Sequence, residues 1–478
     1  MSHGSSKSGG KLTTMTTSGY TKQNEKDESN FSKAALSLVF SCLPRTPLRR
    51  KRAVAAALLI ITFFAWRNSR SENINIKDSE RNILKNFHGS SRLEASASRR
   101  PRGSEIIQKV HSPPPPALTE TETYTMVLPL VCKEVPTAQL LLSTLAAFTD
   151  PDELVAIFIV ADEKDLECVR EKVYNATSHI GEKSQDEYNN QRSKWAVQKI
   201  RFISSESIIP ELAHVQKTET TGRYFIPPEQ IKTTMIRARS FGYIIQMLIK
   251  LAIADHVQTD YYITLDGDLL CTRTMKYRDI ILFEDNTKNS TLSVKRKAVN
   301  NPDRIKNHHL WWIGSDLVLQ TDGIISQAGA EANAFAMGVT PAILHRNSVI
   351  QLHRYLESLY DTPWRSSLIE FSKTHPWTEY TLYYTHAVAA GIFEKHHMAI
   401  PKREPIPSKR LYAGKNMWNP KQIHEWDWDH SFNPDIKNDG YFLVTQAALE
   451  GIKDSLAEHI VSQVKPHVPE GTFPTTLL

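Results

Sequence analysis

The chain has 478 residues, enough for two or three domains or one large domain with appendages, and its 40% hydrophobic and 23% charged content excludes wholesale disorder, a collagen-like chain and a disulfide scaffold. Its longest apolar run covers 14 residues, short of the about 20 that each span of a polytopic transporter or channel requires. The net charge of +6 is uneven: residues 1–110 carry 20 Lys and Arg against 8 Asp and Glu, and the remainder carries 38 against 44, so the body is mildly acidic where a nucleic-acid reading would want a basic stripe.

In chain order, residues 1–30 are rich in Ser, Thr, Lys and Gly and cannot bury enough apolar surface to offset ordering entropy. They open a disordered basic arm, residues 1–52, that ends in Arg49-Arg50-Lys51-Arg52. The apolar stretch from Ala53 to Trp66 follows; as a helix it is roughly 21 Å long against a hydrocarbon core of about 30 Å. A thinner membrane and snorkelling basic ends close part of that gap. A cleaved signal peptide fits worse, because its charged region belongs at the N-terminus. The expectation is a single-pass type II signal-anchor at 53–66, with the arm in the cytosol and the body in the lumen, on analogy the Golgi lumen. Five Lys and Arg in the 15 residues before the run against four in the 15 after it favour that orientation only slightly. Residues 67–123 form a flexible stem containing the polyproline spacer Pro113–Pro116. Of the cysteines, Cys132, Cys168 and Cys271 fall in the lumenal part and allow at most one internal disulfide with one thiol left over. Asn175 and Asn289 begin glycosylation sequons.

The body, residues 124–464 before a 465–478 tail, reads as α/β. Tyr124 to Val131 is a buried strand, Glu134 to Phe148 a helix stopped before Pro151, and Leu154 to Val160 a central parallel strand. Strand, helix, strand in this space is a βαβ unit of a doubly wound sheet. Ligands in such sheets bind past the carboxyl ends of the strands, where Asp162 is placed. Trp195 to Phe202 is a possible third strand. Thr234 to Ala254 is a helix with a wide apolar stripe, and Gln246 and Lys250 share its polar face, which either meets solvent or looks into the cleft.

Tyr261 to Leu265 is a strand that runs into Asp266-Gly267-Asp268. Two carboxylates one residue apart at a strand end can face the same cleft if Gly267 permits a tight turn, and hard oxygen ligands suit Mn²⁺ or Mg²⁺ bridging to a diphosphate. With this segment the stretch Gly242 to Leu270 resembles nucleotide-diphospho-sugar transferases of the GT-A fold, a Rossmann-like architecture, over roughly residues 124–445. The resemblance implies a nucleotide/metal half at 124–270 and an acceptor half at 271–445. It implies a nucleotide-sugar donor, most simply UDP-linked, with Leu130 and Val131 near the base, Asp162 at the nucleoside, Gln246, Lys250 and Gly267 on the donor side, and Asp266 and Asp268 on the metal. The first strand departs from the family by ending in Pro129-Leu130-Val131-Cys132. A C-terminal loop closing over the donor would place Lys415 on the diphosphate and His424 or His430 as a third metal ligand; His430 is taken here.

The acceptor, a glycan or glycoprotein, is assigned to Trp311, Trp312, Gly338, Trp377 and Tyr380. The two adjacent tryptophans either stack on sugar faces or belong to the core. Thr378 is an N-cap, which puts Glu379 in the first helical turn, where the dipole favours the carboxylate that a general base for an acceptor hydroxyl needs. Gly440 to Thr445 reads as a last strand and Gln446 to Val464 as a closing helix. Two other functions fit the same residues: a haloacid-dehalogenase-type phosphatase with Asp266 as nucleophile, and a non-catalytic, membrane-tethered carbohydrate-binding protein.

Overall fold

A computed structural model of the chain describes residues 122–178, 198–215, 241–284, 295–327, 334–400, 411–417, 420–433, 435–436, 440–445, 454–470 and 472–473. The chain divides into the units Met1–Ser98 and Arg99–Leu478, and every described residue belongs to the second. The basic arm, the 53–66 segment and the stem through residue 121 lie outside the described residues. Among the described residues no helix is long and apolar enough to cross a membrane.

The strands in chain order are β1 (Tyr124–Pro129), β2 (Leu154–Ala161), β3 (Ile200–Ser204), β4 (Tyr261–Thr264), β5 (Leu269–Cys271), β6 (Ile281–Glu284), β7 (Lys295–Ala298), β8 (Pro302–Arg304), β9 (Phe335–Met337), β10 (Ala342–His345), β11 (Tyr412–Asn416) and β12 (Phe442–Val444). The longer helices are α1 (Val135–Phe148), α2 (Glu163–Ser178), α3 (Phe241–Ala252), α4 (His309–Leu319), α5 (Arg346–Tyr360), α6 (Trp364–Ser372), α7 (Glu379–Ala389) and α8 (Asp454–Val464).

The fold is mixed α/β around a five-stranded sheet of order β10-β4-β1-β2-β3, in which β4, β1, β2 and β3 are parallel and β10 is antiparallel to β4. From β1 the chain winds outward through β2 and β3, then returns to β4 on the other side of β1. The winding reverses between β1 and β4, and the crevice at their carboxyl ends is the usual ligand position of an open α/β sheet. The period-2 alternation of strand side chains fixes what covers each face. Met126, Leu128, Ile157, Ile159 and Ile263 pack with Leu141 and Leu145 of α1. Val127, Val160, Tyr262 and Leu344 pack with Leu248 and Leu251 of α3 and Leu352 and Leu356 of α5. Each such Leu or Ile, fully buried, contributes about 1.5–3 kcal/mol.

A second sheet, β11-β12-β5, covers another face of α1, with β12 antiparallel to β5 and Leu140, Leu270, Leu443, Met417, Trp428, Ile460 and Val464 sharing one apolar cluster. Cys132 and Cys168 are disulfide-bonded with their Cα atoms 5.8 Å apart, and Cys271 is a buried free thiol. The bridge ties the exit of β1 to α2.

Several boundaries differ from the sequence expectation. Gln198 and Lys199 are helical and the third strand begins at Ile200, because the alternation of Ile200, Phe202 and Ser204 against the Ile157–Ala161 register decides the pairing. The long helix is described from Phe241, and its expected start at 234 lies outside the described residues, as does the 446–453 part of the closing helix. The turn that the sequence places at Gly267 needs no left-handed backbone: the φ of Gly267 is not positive, and an added Cβ would meet only Ala138 and Leu130, each at 3.6 Å.

Candidate functional site

β4 is buried along its whole length and delivers Leu265, Asp266, Gly267 and Asp268 to the crevice. Leu265 N–H still bonds Val127 O at 2.8 Å, so the turn leaves the sheet beside the end of β1. On the other side, Ala342 pairs with Thr264, which brings Thr340, two residues earlier, next to the same strand end. Asn300 and Asn301 hold that approach. Asn300 Oδ1 accepts from Ile343 N–H at 2.8 Å, and Asn301 Nδ2 donates to Pro341 O at 3.1 Å, which covers the free edge of β10.

Three distant segments meet on one ammonium. Lys250, in the last turn of α3, donates from Nζ to Asp266 Oδ1 at 2.7 Å and to Thr340 Oγ1 at 2.9 Å. Glu379 Oε1 lies 2.9 Å from the same nitrogen as an ion pair, and Glu379 Oε2 has no hydrogen-bond partner among the described residues. The Lys250 side chain is 4% exposed, that of Glu379 1% and that of Asp266 42%, so the relay runs from the interior to the cleft. Burial disfavours the Lys250 ammonium, but Asp266 and Glu379 outweigh it and hold its pKa above that of a free lysine. Burial raises the Glu379 carboxyl against the opposing pull of Lys250, so desolvation, not the helix start, dominates that group. The expected capping is present: Thr378 Oγ1 accepts from Thr381 N–H, and Thr381 Oγ1 accepts from Thr378 N–H at 3.0 Å.

Asp268 is almost fully buried, and burial together with the neighbouring Asp266 charge pushes its carboxyl up to about 7. Its carbonyl oxygen is clamped from below β5: Thr445 N–H and Thr445 Oγ1 both donate to it at 2.8 Å. Glu134, in the turn that follows β1, is half-buried; burial raises its carboxyl, Lys133 lowers it, and the Asp266 charge raises it further. Among the described residues no group of three or more His, Cys, Asp or Glu side chains is placed to hold a metal ion. Asp266 and Asp268 are a two-carboxylate oxygen set, the charge of one raising the other, and a hard divalent cation would relieve that repulsion.

The remaining expected residues fall into three groups. Leu130 is buried, donates its N–H to Val160 O at 2.9 Å and lines the turn at Gly267. Val131 is half-buried one residue on, and Gln246 is half-buried one helical turn before Lys250. Asp162 stands past β2, where Oδ1 accepts from Ser205 Oγ at 3.0 Å and Oδ2 lies 3.6 Å from Lys164. Leu130, Val131 and Asp162 thus follow the carboxyl ends of β1 and β2, on the crevice side of the sheet. The acceptor residues do not present themselves as exposed platforms. Trp311 and Trp312 are buried in α4, Trp311 stacked on His308 at 4.3 Å and Trp312 edge-on to Tyr384 at 5.7 Å. Trp377 is buried with Nε1 donating to Ser372 Oγ at 3.0 Å, and Tyr380 is buried in α7. Gly338 donates its N–H to Asn301 O at 2.6 Å, where a Cβ would come within 2.9 Å of that oxygen. For Trp311, Trp312 and Tyr380 the physical reason is that the helices α4 and α7 pack against each other and take these side chains into the core. His430 is exposed on the turn Trp428–Phe432, its N–H on Asp427 Oδ1 at 2.9 Å, and joins no metal-holding cluster among the described residues. Lys415 lies on β11. Thr340, Ser205 and Thr445 were not singled out from the sequence. Each is a hydroxyl residue whose relevance comes from a partner at least 43 positions away.

Comparison with solved structures finds mouse xyloside xylosyltransferase 1 in its apo form at 10% identity and a TM-score of 0.32, over 68% of this chain and 97% of that one. Core-mannan synthase A from Aspergillus fumigatus, in a Mn/GDP form, matches at 10% identity and a TM-score of 0.28, over 66% and 86%. The apo bifunctional glycosyltransferase WbbM matches at 8% identity and a TM-score of 0.25, over 73% and 51%. A search among curated proteins finds no match. The model of a family of unknown function, DUF6492, matches residues 121–472, and the chain belongs to that family.

Proposed function

We propose that the chain is a metal-dependent glycosyltransferase that moves a sugar from a nucleotide-diphosphate donor, UDP-linked in the first instance, to a lumenal glycan or glycoprotein. The observation that carries this reading is the position of Asp266 and Asp268: at the carboxyl end of β4, beside the end of β1, where the winding of the sheet reverses. Leu130 and Val131 would flank the base and Asp162 the ribose. Asp266 and Asp268 would hold Mn²⁺ or Mg²⁺, which when bound neutralises charge on the diphosphate. Lys250 keeps Asp266 oriented and adds positive potential at the same edge. In the transfer the bond from the anomeric carbon to the β-phosphate oxygen breaks and a bond to the acceptor oxygen forms. The acceptor proton leaves to the departing phosphate or to solvent, and the nucleoside diphosphate departs. The Glu379 side chain is 1% exposed and paired with Lys250, so this reading gives that carboxylate to the lysine and not to an acceptor hydroxyl. The phosphatase alternative expects its aspartate pair at the end of the first strand of the domain, whereas Asp266 follows β4.

The anchor at 53–66 and a lumenal, Golgi body belong to the same proposal; the Cys132–Cys168 disulfide supports an oxidising compartment. A thermal-shift panel of nucleotide sugars with and without Mn²⁺ tests the activity class. A ligand at 100 times its Kd stabilises by about 2.7 kcal/mol. A Mn²⁺-dependent rise with one nucleotide sugar is expected, and an unmoved transition with all of them removes the reading.

A further inference from the structure

Lys250 has two carboxylate partners where one would neutralise it. Asp266 is at the open end of the relay and Glu379 at the closed end, with the ammonium and the Thr340 hydroxyl between them. The ammonium is sealed from water, so any change that takes Asp266 away must leave it another anion or leave a buried charge uncompensated, which is strongly destabilising. A divalent cation on Asp266 makes that demand, because even on Oδ2 it takes up the charge of the carboxylate whose Oδ1 Lys250 holds. Glu379 cannot move off with the lysine. It sits on the first turn of α7, fixed by the Thr378–Thr381 cap and by the Ser315 Oγ to Thr381 Oγ1 contact at 2.7 Å from α4.

Resting on the functional reading above, we propose that Glu379 is a positioning residue for the cation site. It retains the Lys250 ammonium when a divalent ion takes Asp266, so that metal binding does not compete with a buried lysine. The charges agree with this assignment. Asp266, Glu379 and Lys250 together carry one negative charge, and an ionised Asp268 brings the set to two, the charge of one divalent cation.

The test is Mn²⁺ affinity, read from the free-ion paramagnetic resonance signal of the full-length chain in detergent with UDP present, for wild type, Glu379→Gln and the double variant Lys250→Met with Glu379→Gln. In the single variant Lys250 has only Asp266, and Mn²⁺ binding weakens by about tenfold. In the double variant the competitor is gone as well, and the affinity returns to within about threefold of wild type or better. A purely structural Glu379 gives no such rescue. A Glu379→Gln chain that binds Mn²⁺ as wild type does, or a double variant as weak as the single one, overturns the proposal. Should the single variant fail to fold, the double variant carries the test, since replacing both members of a buried ion pair is commonly tolerated; wild-type affinity there supports the proposal and lost affinity overturns it. A wild-type chain that takes up no Mn²⁺ removes the functional reading itself, a result distinct from a failure confined to the variants.

Discussion

Thr445 donates both its backbone N–H and its hydroxyl to the carbonyl oxygen of Asp268, each at 2.8 Å across 177 residues of sequence. The contact joins the end of β12 to the turn that carries both cleft carboxylates, so the C-terminal sheet acts as the floor of the site. Lys250 grips the same turn from the opposite side through Asp266.

Thr445→Val removes the hydroxyl donor and leaves the backbone one. We expect about 1 kcal/mol of lost stability in urea unfolding. We also expect a several-fold weaker response to Mn²⁺ plus nucleotide, because the Asp268 backbone gains freedom. Equal stability together with an equal ligand response would show that the clamp is incidental.

Gly314→Ala tests the packing that seats Glu379. A Cβ there would lie 1.7 Å from Pro376 O, a backbone atom three residues before Glu379, so α4 and the segment leading into α7 cannot both keep their places. The expected cost is about 3 kcal/mol or more, with donor response lost alongside. Gly391→Ala is the control. Its φ of 66° strains any side chain, but nothing lies within 4 Å of the new methyl, so about 1 kcal/mol and no loss of ligand response are expected.

Stability should fall on acidification through a buried histidine. Asn300 Oδ1 accepts from Ile343 N–H, so Asn300 Nδ2 is the donor that meets His397 Nδ1 at 3.0 Å. The ring is therefore neutral with its proton on Nε2, 2.6 Å from Tyr383 Oη. Burial first, and the neighbouring His396 second, lower the His397 pKa to about 3. Above the ordinary histidine value near 6.5 both folded and unfolded chains are neutral here. Below it the unfolded chain takes a proton the folded one refuses, and about 1.4 kcal/mol is lost per pH unit down to the folded value. Urea unfolding at pH 7.5 and 5.5 should show a smaller loss for His397→Gln than for wild type; parallel losses would contradict the assignment.

Removing the Cys132–Cys168 bridge should lower stability by about 3–4 kcal/mol on the loop-entropy account, the two cysteines being 36 positions apart. Paired Cys→Ser substitution, compared with wild type under non-reducing conditions, measures it. No change in the unfolding midpoint would mean that the bridge is absent or compensated in the unfolded chain.

What was legible in the sequence is what local pattern controls. The runs at 124–129 and 154–161, the helix at 135–148, the strand feeding Asp266 and the Thr378 cap are all set by neighbours within a few residues. The partners of Lys250 were not legible, since Thr340 lies 90 positions away and no periodicity links them. Glu379 was found as a helix-start carboxylate, but its burial comes from α4 closing over α7 at Gly314, a contact no local pattern encodes. Trp311, Trp312 and Trp377 are all core, for the first two one of the two alternatives that the sequence left open. The three-residue strand β5 was too short to show any period.

The most direct test of the account is calorimetric titration of UDP into the full-length wild-type chain and into Asp268→Asn, each with and without Mn²⁺. The account predicts that wild type binds UDP only when Mn²⁺ is present and that the variant binds about 100-fold more weakly while unfolding at an unchanged midpoint. Mn²⁺-independent binding of UDP by wild type, or an affinity in the variant equal to that of wild type, would contradict it.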